Sequence, residues 1–280
     1  MPAVLLADRA VLSVSDAEAR HFLQGLVTCD MTKVAPDAPG FGALLTPQGK
    51  ILFDFLIAQD GERFLLDTAR YKAAELLKRL TFYRLRAKVE LANLSDDAKG
   101  DEALAVVALF GDAQPPAGAT VLADPRAQEL GRRAILPLAA ARAIATDPRE
   151  KYEAHRIACG VPSGGLDFAY GDAFPHEVNM DLLHGVAFDK GCYVGQEVVS
   201  RMQHRGLVRK RVLRVEIDGS AAPGAEIRAG EIAIGVLGGA QGSHGLATVR
   251  LDRLEEAKGA PLAAGAAQVS VLDREPQGSH

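Results

Sequence analysis

The sequence predicts an α+β unit over residues 1–205, followed by a small C-terminal β-barrel over residues 206–280. Three observations carry this expectation. Residues 41–57 read as strand, turn, strand around Thr46-Pro47-Gln48-Gly49. Helix starts and short strands are intermixed up to about residue 205. From Val212 onward apolar residues recur at period two between Gly-rich connections, the pattern of a small barrel or sandwich.

Taken in order, Ser15-Asp16-Ala17-Glu18 has the form of a capping box, in which hydroxyl and carboxylate satisfy each other's free backbone N–H groups. Ala19, Phe22, Leu23 and Leu26 follow at helical spacing, so a short helix is expected from about residue 16. Strands are expected at 41–45 and 50–57, with Pro47 and Gly49 making the turn. Phe64–Asp67 reads as a strand, and Thr68 as the cap of a helix carrying Ala74, Leu77 and Leu80. Arg86–Leu91 and Ala103–Phe110 read as strands, and the Pro- and Gly-rich stretch 111–126 as an exposed loop. Asp147-Pro148-Arg149-Glu150 predicts a helix start, with the helix ending near Gly160, before Pro162. In the barrel, Leu213, Val215 and Ile217 alternate with Arg214, Glu216 and Asp218. Ile232 and Ile234, then Ala247, Val249 and Leu251, then Val269 and Val271, continue the period.

Composition narrows the function classes. Hydrophobic residues at 48% and charged residues at 24% describe a globular chain. With 32 Lys and Arg against 36 Asp and Glu, the net charge of −4 counts against a general nucleic-acid binder, and no direct sequence-specific nucleic-acid binding is expected. Absence of Trp rules out a tryptophan cage. Cys29, Cys159 and Cys192 are too few for a paired disulfide framework or a four-cysteine cluster, and they favour a reducing compartment. The N-terminal stretch lacks a basic region followed by a long apolar run, and no apolar run approaches the ~20 residues of a membrane span. The expected location is cytoplasmic, with no membrane partner.

Residues 176–206 hold the densest cluster of unusual residues. Gly191 and Gly195 bracket Cys192 and permit positive φ, so the thiol is expected on a tight turn. A helix opening at Gln196, with Lys190 and Arg201 nearby, would favour the thiolate. Two readings stand: a reactive or metal-touching cysteine, or a buried structural one. Glu177 and Asn179 would point to one side of an extended segment, where carboxylate and amide suit the donor–acceptor edge of a pterin; the alternative is a capping role after Pro175. His155, His176, His184 and His204 match no compact metal-ligand spacing, and no metal is expected. The basic run Arg201, Arg205, Arg209, Lys210, Arg211 and Arg214 reads as a solvated face, with a folate glutamate tail or RNA phosphate as alternatives.

Lys190-Gly191-Cys192-Tyr193-Val194-Gly195-Gln196-Glu197 resembles the signature of the YgfZ family of folate-binding proteins, in the superfamily of the glycine-cleavage T protein. Further segments fall in the family's order. They are Phe22–Thr28, Leu45–Ile51, Arg156-Ile157 with Gly160-Val161-Pro162, Glu177-Val178-Asn179, and Leu246-Ala247. The resemblance implies a T-protein-like cloverleaf of two interleaved α+β subdomains and a β-barrel. It implies tetrahydrofolate, or a one-carbon derivative, as cofactor, and support of iron–sulfur proteins as clients, tRNA-modifying enzymes included. Cys192 is then the functional thiol, and Asp54, Glu177, Asn179, Lys190, Tyr193, Gln196, Glu197 and Arg201 are the expected folate-contacting or turn-holding residues. T proteins carry adjacent aspartates after a Gly-Gly turn. This chain has Gly49-Lys50 and then Phe53-Asp54, so one carboxylate of the pair is missing. Aminomethyl transfer is therefore the alternative function and not the expected one.

Overall fold

The computed structural model describes residues 2–206, 208–257 and 259–273. The chain opens with β1 (Ala3–Leu5), β2 (Arg9–Ser15), α1 (Ala19–Gln24), β3 (Gly40–Leu45), β4 (Ile51–Asp60), β5 (Arg63–Ala69), α2 (Arg70–Arg84) and β6 (Glu90–Asn93). There follow β7 (Leu104–Leu109), β8 (Thr120–Ala123), β9 (Arg132–Pro137), α3 (Leu138–Ile144), α4 (Arg149–Ala158) and α5 (Gln196–Arg205). The last part is β10 (Lys210–Asp218), β11 (Glu226–Ala229), β12 (Ile232–Gln241), β13 (His244–Arg250), α6 (Leu251–Glu256), β14 (Leu262–Ala264) and β15 (Ala267–Val271).

β1 and β2 enter different sheets. β1 joins a four-stranded sheet of order β1-β7-β9-β8, whereas β2 joins a five-stranded sheet of order β3-β4-β5-β2-β6. This is the expected interleaving. In the larger sheet Leu12, Phe53, Phe55 and Leu66 form a core with Ala73, Leu76 and Leu80 of α2. From β10 onward six strands close into a barrel, β10-β13-β12-β11-β14-β15, with Leu213, Val215, Ile217, Ala247, Val249 and Val269 inside, as the period-two pattern requires.

By its contacts the chain forms two compact units. The first takes residues up to Leu45, then Leu52–Tyr152 and His184–Val194, and holds both sheets. The second takes Thr46–Ile51, Glu153–Leu183 and the chain from Gly195 on, and holds the barrel. Within the second unit Arg156, almost fully buried, donates from Nη1 to Asp167 Oδ2 at 2.7 Å, and Asp167 Oδ1 accepts the Gly239 N–H of β12 at 2.8 Å. The segment after α4 is thereby tied to a barrel strand. The units cut the chain elsewhere than at residue 206.

Several local expectations change. The capping box does not form. Ser15 ends β2 opposite Glu90, Asp16 has φ 84°, and the Glu18 carboxylate accepts the Lys88 N–H at 2.6 Å. Helix α1 therefore starts three residues late, with Glu18 as N-cap and no side-chain cap. Thr68 caps nothing, because it lies in β5 and its hydroxyl donates to the Asp54 carbonyl at 3.0 Å. The face of α2 that packs is Ala73, Leu76 and Leu80, one residue out of step with the expected one at its start. The 111–126 stretch contains β8, and the strand expected from Arg86 is confined to Glu90–Asn93. Leu251 lies on α6 and not on a strand. Helix α4 begins where expected, but the Asp147 carboxylate accepts the Ala3 N–H at 3.0 Å and pairs with Lys151 at 2.5 Å.

A buried ion network staples the two sheets of the first unit. Asp67 of β5 receives Arg9 Nε at 2.6 Å and also pairs with Arg133 of β9. Arg133 donates to the Tyr152 hydroxyl at 3.0 Å, and Arg126 Nη2 lies 2.6 Å from Asp124 Oδ2. Burial alone would raise the Asp67 carboxyl, but Arg133 and Arg9 outweigh it and hold it below the ordinary value of 3.8. Burial is likewise outweighed at Asp124, by Arg126 and then Arg133. Both carboxyls thus bind protons less readily in the fold than in the unfolded chain. Their stabilising contribution is complete above the unfolded value and fades as pH falls below it. Asp67→Asn removes the carboxylate shared by Arg9 and Arg133, leaving Arg133 only Asp124 at 3.5 Å, and should cost about 3–5 kcal/mol in urea unfolding. It should also flatten the loss of stability on acidification below about pH 4.

Candidate functional site

Helix α1 ends in a loop, 24–29, whose carbonyls have no helical partner. Lys190 supplies one. Its Nζ donates to the carbonyls of Gln24 at 2.8 Å, Val27 at 2.7 Å and Cys29 at 2.8 Å, so three donors meet three acceptors. Burial lowers the Lys190 ammonium below its ordinary value. The Tyr193 ring lies 5.2 Å from the ammonium and is itself buried, which pushes its hydroxyl up to about 12.

Thr28 adds a second set of ties. It exchanges hydrogen bonds with Ala43 of β3: its N–H donates to the Ala43 carbonyl at 3.0 Å, and its hydroxyl accepts the Ala43 N–H at 2.8 Å. The same hydroxyl donates to the Gly185 carbonyl at 2.5 Å, and the Thr28 carbonyl accepts the Ala187 N–H at 2.9 Å. The Phe22–Thr28 stretch and the signature stretch are therefore one construction. Cys192 stands on it, exposed, two residues beyond the Lys190 anchor.

The thiolate argument changes in consequence. The Lys190 ammonium is committed to three carbonyls, and Arg201 pairs with Glu197 at 2.5 Å, so neither is a dedicated counter-charge for Cys192. Lys190 is a positioning residue and has no donor left for folate. Gly191 lies outside the positive-φ region; Gly195, with φ 82°, supplies the turn and caps α5. Cys29 is the contrasting thiol, since burial pushes it up to about 12 even though the Lys190 charge opposes this. Cys159 is half-buried.

The remaining expected residues divide between the units. Asp54 belongs to the first with Lys190, Cys192 and Tyr193; Glu177, Asn179, Gln196, Glu197 and Arg201 belong to the second. Asp54 is buried on β4, and together with burial its charge raises the nearby Tyr71 hydroxyl. Phe53, the residue before Asp54, is fully buried in the sheet core, with Lys72 Nζ 5.3 Å from its ring centre.

Glu177 and Asn179 do not share an extended segment. They lie on and after a 3-10 turn, Pro175–Val178, and Asn179 has φ 62°. Glu177 Oε2 accepts the Phe174 N–H at 3.0 Å, the capping role. Asn179 Nδ2 donates to the Val212 carbonyl at 2.7 Å, while its buried Oδ1 has no partner among the described residues. Glu177 and Arg201 do line one cavity of about 370 Å³, with Phe174, Met202, Arg209, Lys210 and Arg250. Arg209 and Lys210 come from the basic run read as a solvated face; Arg250 carried no sequence signal because it lies about 40 residues away. Arg211 and Arg214 are structural, bidentate to Asp181 and Asp273 respectively. The Arg205 side chain lies outside the described residues. Of the cavity's cations, Arg201 pairs with Glu197, Arg250 pairs with Asp252 and Lys210 lies 3.8 Å from Glu177, whereas Arg209 has no carboxylate partner among the described residues. Among the described residues no three His, Cys, Asp or Glu side chains are grouped to hold a metal ion.

Residues 209–275 match the model of the CAF17 C-terminal β-barrel domain. The glycine-cleavage aminomethyltransferase T of Bartonella henselae superposes with a TM-score of 0.75 over 99% of this chain and 86% of that one, at 16% identity, which shows the fold. The human mitochondrial iron–sulfur cluster assembly factor IBA57 is 30% identical over 279 residues, spanning 89% of this chain and 78% of its own length. The chain belongs to the IBA57 family. Fungal IBA57 homologues are 34% identical in Neurospora crassa and 38% in Mycosarcoma maydis, over 74% and 73% of this chain. The chain spans about half the length of these two, 52% and 54%. All three IBA57 relatives are named mitochondrial, and this overturns the cytoplasmic expectation. Few unpaired cysteines report a reducing compartment but do not say which one.

Burial and exposure rank the thiols. At neutral pH Cys192 should be alkylated first, Cys159 next and Cys29 last, read by peptide mass spectrometry. Lys190→Met should lower stability by roughly 3 kcal/mol or more, because it orphans three carbonyls at about 1–3 kcal/mol each. It should also raise hydrogen exchange at Thr28 and Ala187 while Val107 in β7 stays protected. Equal exchange at all three would show that Lys190 does not hold the loop.

Proposed function

We propose that this chain is an iron–sulfur cluster assembly factor that binds tetrahydrofolate, or a one-carbon derivative, and acts on iron–sulfur proteins through Cys192. The observation that carries the reading is an exposed thiol on a backbone held by the Lys190 and Thr28 bonds. Such a thiol can present a soft ligand or nucleophile to a partner protein without reorganising first. Membership of the IBA57 family supports the assembly role. The YgfZ-like octapeptide supports folate and, among the clients, tRNA-modifying enzymes. The cavity lined by Glu177 and Arg201 supports folate, with Arg209 and Lys210 suiting its carboxylates and Phe174 its aromatic body.

Aminomethyl transfer is disfavoured by Phe53. Its ring occupies the sheet core at 0% exposure, so no second carboxylate is available beside Asp54. Phe53→Asp should confer no transferase turnover and should destabilise the fold by about 4 kcal/mol or more, because it removes a buried ring and buries a charge. Rates like those of a T protein in the unaltered chain would overturn this.

Calorimetric titration with tetrahydrofolate should give saturable heat, and the bound ligand should raise the thermal midpoint. Neither effect at saturating ligand would remove folate from the proposal. Cys192→Ser should keep the fold, since the residue is exposed, and should abolish rescue of iron–sulfur enzyme activity in cells lacking the protein. Full rescue by Cys192→Ser would refute the thiol's role.

A further inference from the structure

The most exposed large hydrophobic side chains among the described residues all come from one element. Tyr71 is 65% exposed, Phe82 71% and Leu85, just past the end of α2, 87%. Tyr71 and Phe82 are eleven residues apart, which puts them about 20° apart around the helix and about 16 Å apart along it. Lys78 falls on the same line between them, and α2 turns its other face, Ala73, Leu76 and Leu80, into the core. The outward stripe is thus apolar, basic, apolar.

The charge around it is lopsided. Residues 70–88 carry seven Lys and Arg and one acid, Glu75, in a chain whose net charge is −4; the other residues hold 25 basic against 35 acidic side chains. Arg70 and Lys72 are engaged locally, the first with backbone carbonyls and the second with Glu75. Lys78, Arg79, Arg84, Arg86 and Lys88 have no carboxylate partner among the described residues. Cations left unpaired beside exposed apolar side chains call for an occupant that brings both carboxylates and apolar knobs.

We propose that the outer face of α2 docks an acidic amphipathic helix of a partner protein. Knobs at helical spacing would pack on Tyr71, Phe82 and Leu85, and flanking carboxylates would meet Lys78 and Arg79. A two-fold dimer through this face would set like charges against each other. Nucleic acid is a poorer fit, because the aromatic rings stand several nucleotide steps apart and the aliphatic Leu85 offers no stacking surface. An anionic membrane is poorer too, because Glu75 interrupts the outer face and the apolar side chains do not form a continuous strip.

The test uses the whole chain and a fluorescent synthetic peptide with leucines at helical spacing flanked by glutamates, followed by anisotropy. Saturable binding is expected at low salt, weakening as salt rises. Phe82→Ser with Leu85→Ser should weaken it by about tenfold or more, with an unchanged thermal midpoint because both side chains are exposed. Lys78→Glu with Arg79→Glu should shift preference to the lysine version of the peptide. Tetrahydrofolate binding, measured on the same variants, should not change, which separates this surface from the folate reading. The proposal is overturned by absence of saturable binding, by variants that bind equally, or by tighter binding of oligoadenylate RNA or phosphatidylserine vesicles. A dimer in sedimentation that Leu85→Ser dissolves would also overturn it.

Discussion

One ammonium group organises the first unit's candidate site. Lys190 Nζ reaches three carbonyls contributed by residues 24, 27 and 29. Each carbonyl, buried and unmet, would cost about 1–3 kcal/mol. A neutral side chain of similar length cannot replace it, because no other residue presents three donors from one point. The charge also suits the place, since the C-terminal end of a helix is its negative end. Once that loop is closed, Thr28 is oriented to bond Gly185 and Ala187, Tyr193 is buried, and Cys192 is left on the outside.

The comparison with the aminomethyltransferase fold separates architecture from chemistry. The chain shares that enzyme's fold at 16% identity, while its own Phe53, next to Asp54 in sequence, fills the sheet core. Fold alone therefore says little about turnover, and the activity must be argued from the site. Here the first unit offers a pinned loop with an exposed sulfur, and the second unit separately offers a cavity lined by Glu177 and Arg209.

What was legible in the sequence depended on how local its physics is. The strand-turn-strand at 41–57 and the barrel strands were readable because alternation and turn residues act within a few positions. The Ser15–Glu18 box was misleading because a strand pairing took Ser15 and a distant N–H took the Glu18 carboxylate. Lys190 was read as a partner of its sequence neighbour Cys192, whereas its real partners lie 161 to 166 residues away. The same distance hid the staple of Asp67 with Arg9 and Arg133, since nothing in either neighbourhood marks the others. Glu177 and Asn179 were expected on one extended segment, but a 3-10 turn and a left-handed residue at 179 bend the backbone away from that geometry.

The separation between Lys190 and its carbonyls has a consequence for synthesis on the ribosome. By the time Asn93 emerges, every strand of the larger sheet is available, but the loop at 24–29 still lacks its donor. Its carbonyls must stay hydrated through roughly another hundred residues of translation, at the ~5–20 residues per second typical of elongation. The nascent chain therefore carries an open edge near Val27 for several seconds, and the arrival of the segment that bears Cys192 is what seals it. The thiol cannot be mounted in its final setting before the N-terminal module is sealed, because a single lysine does both.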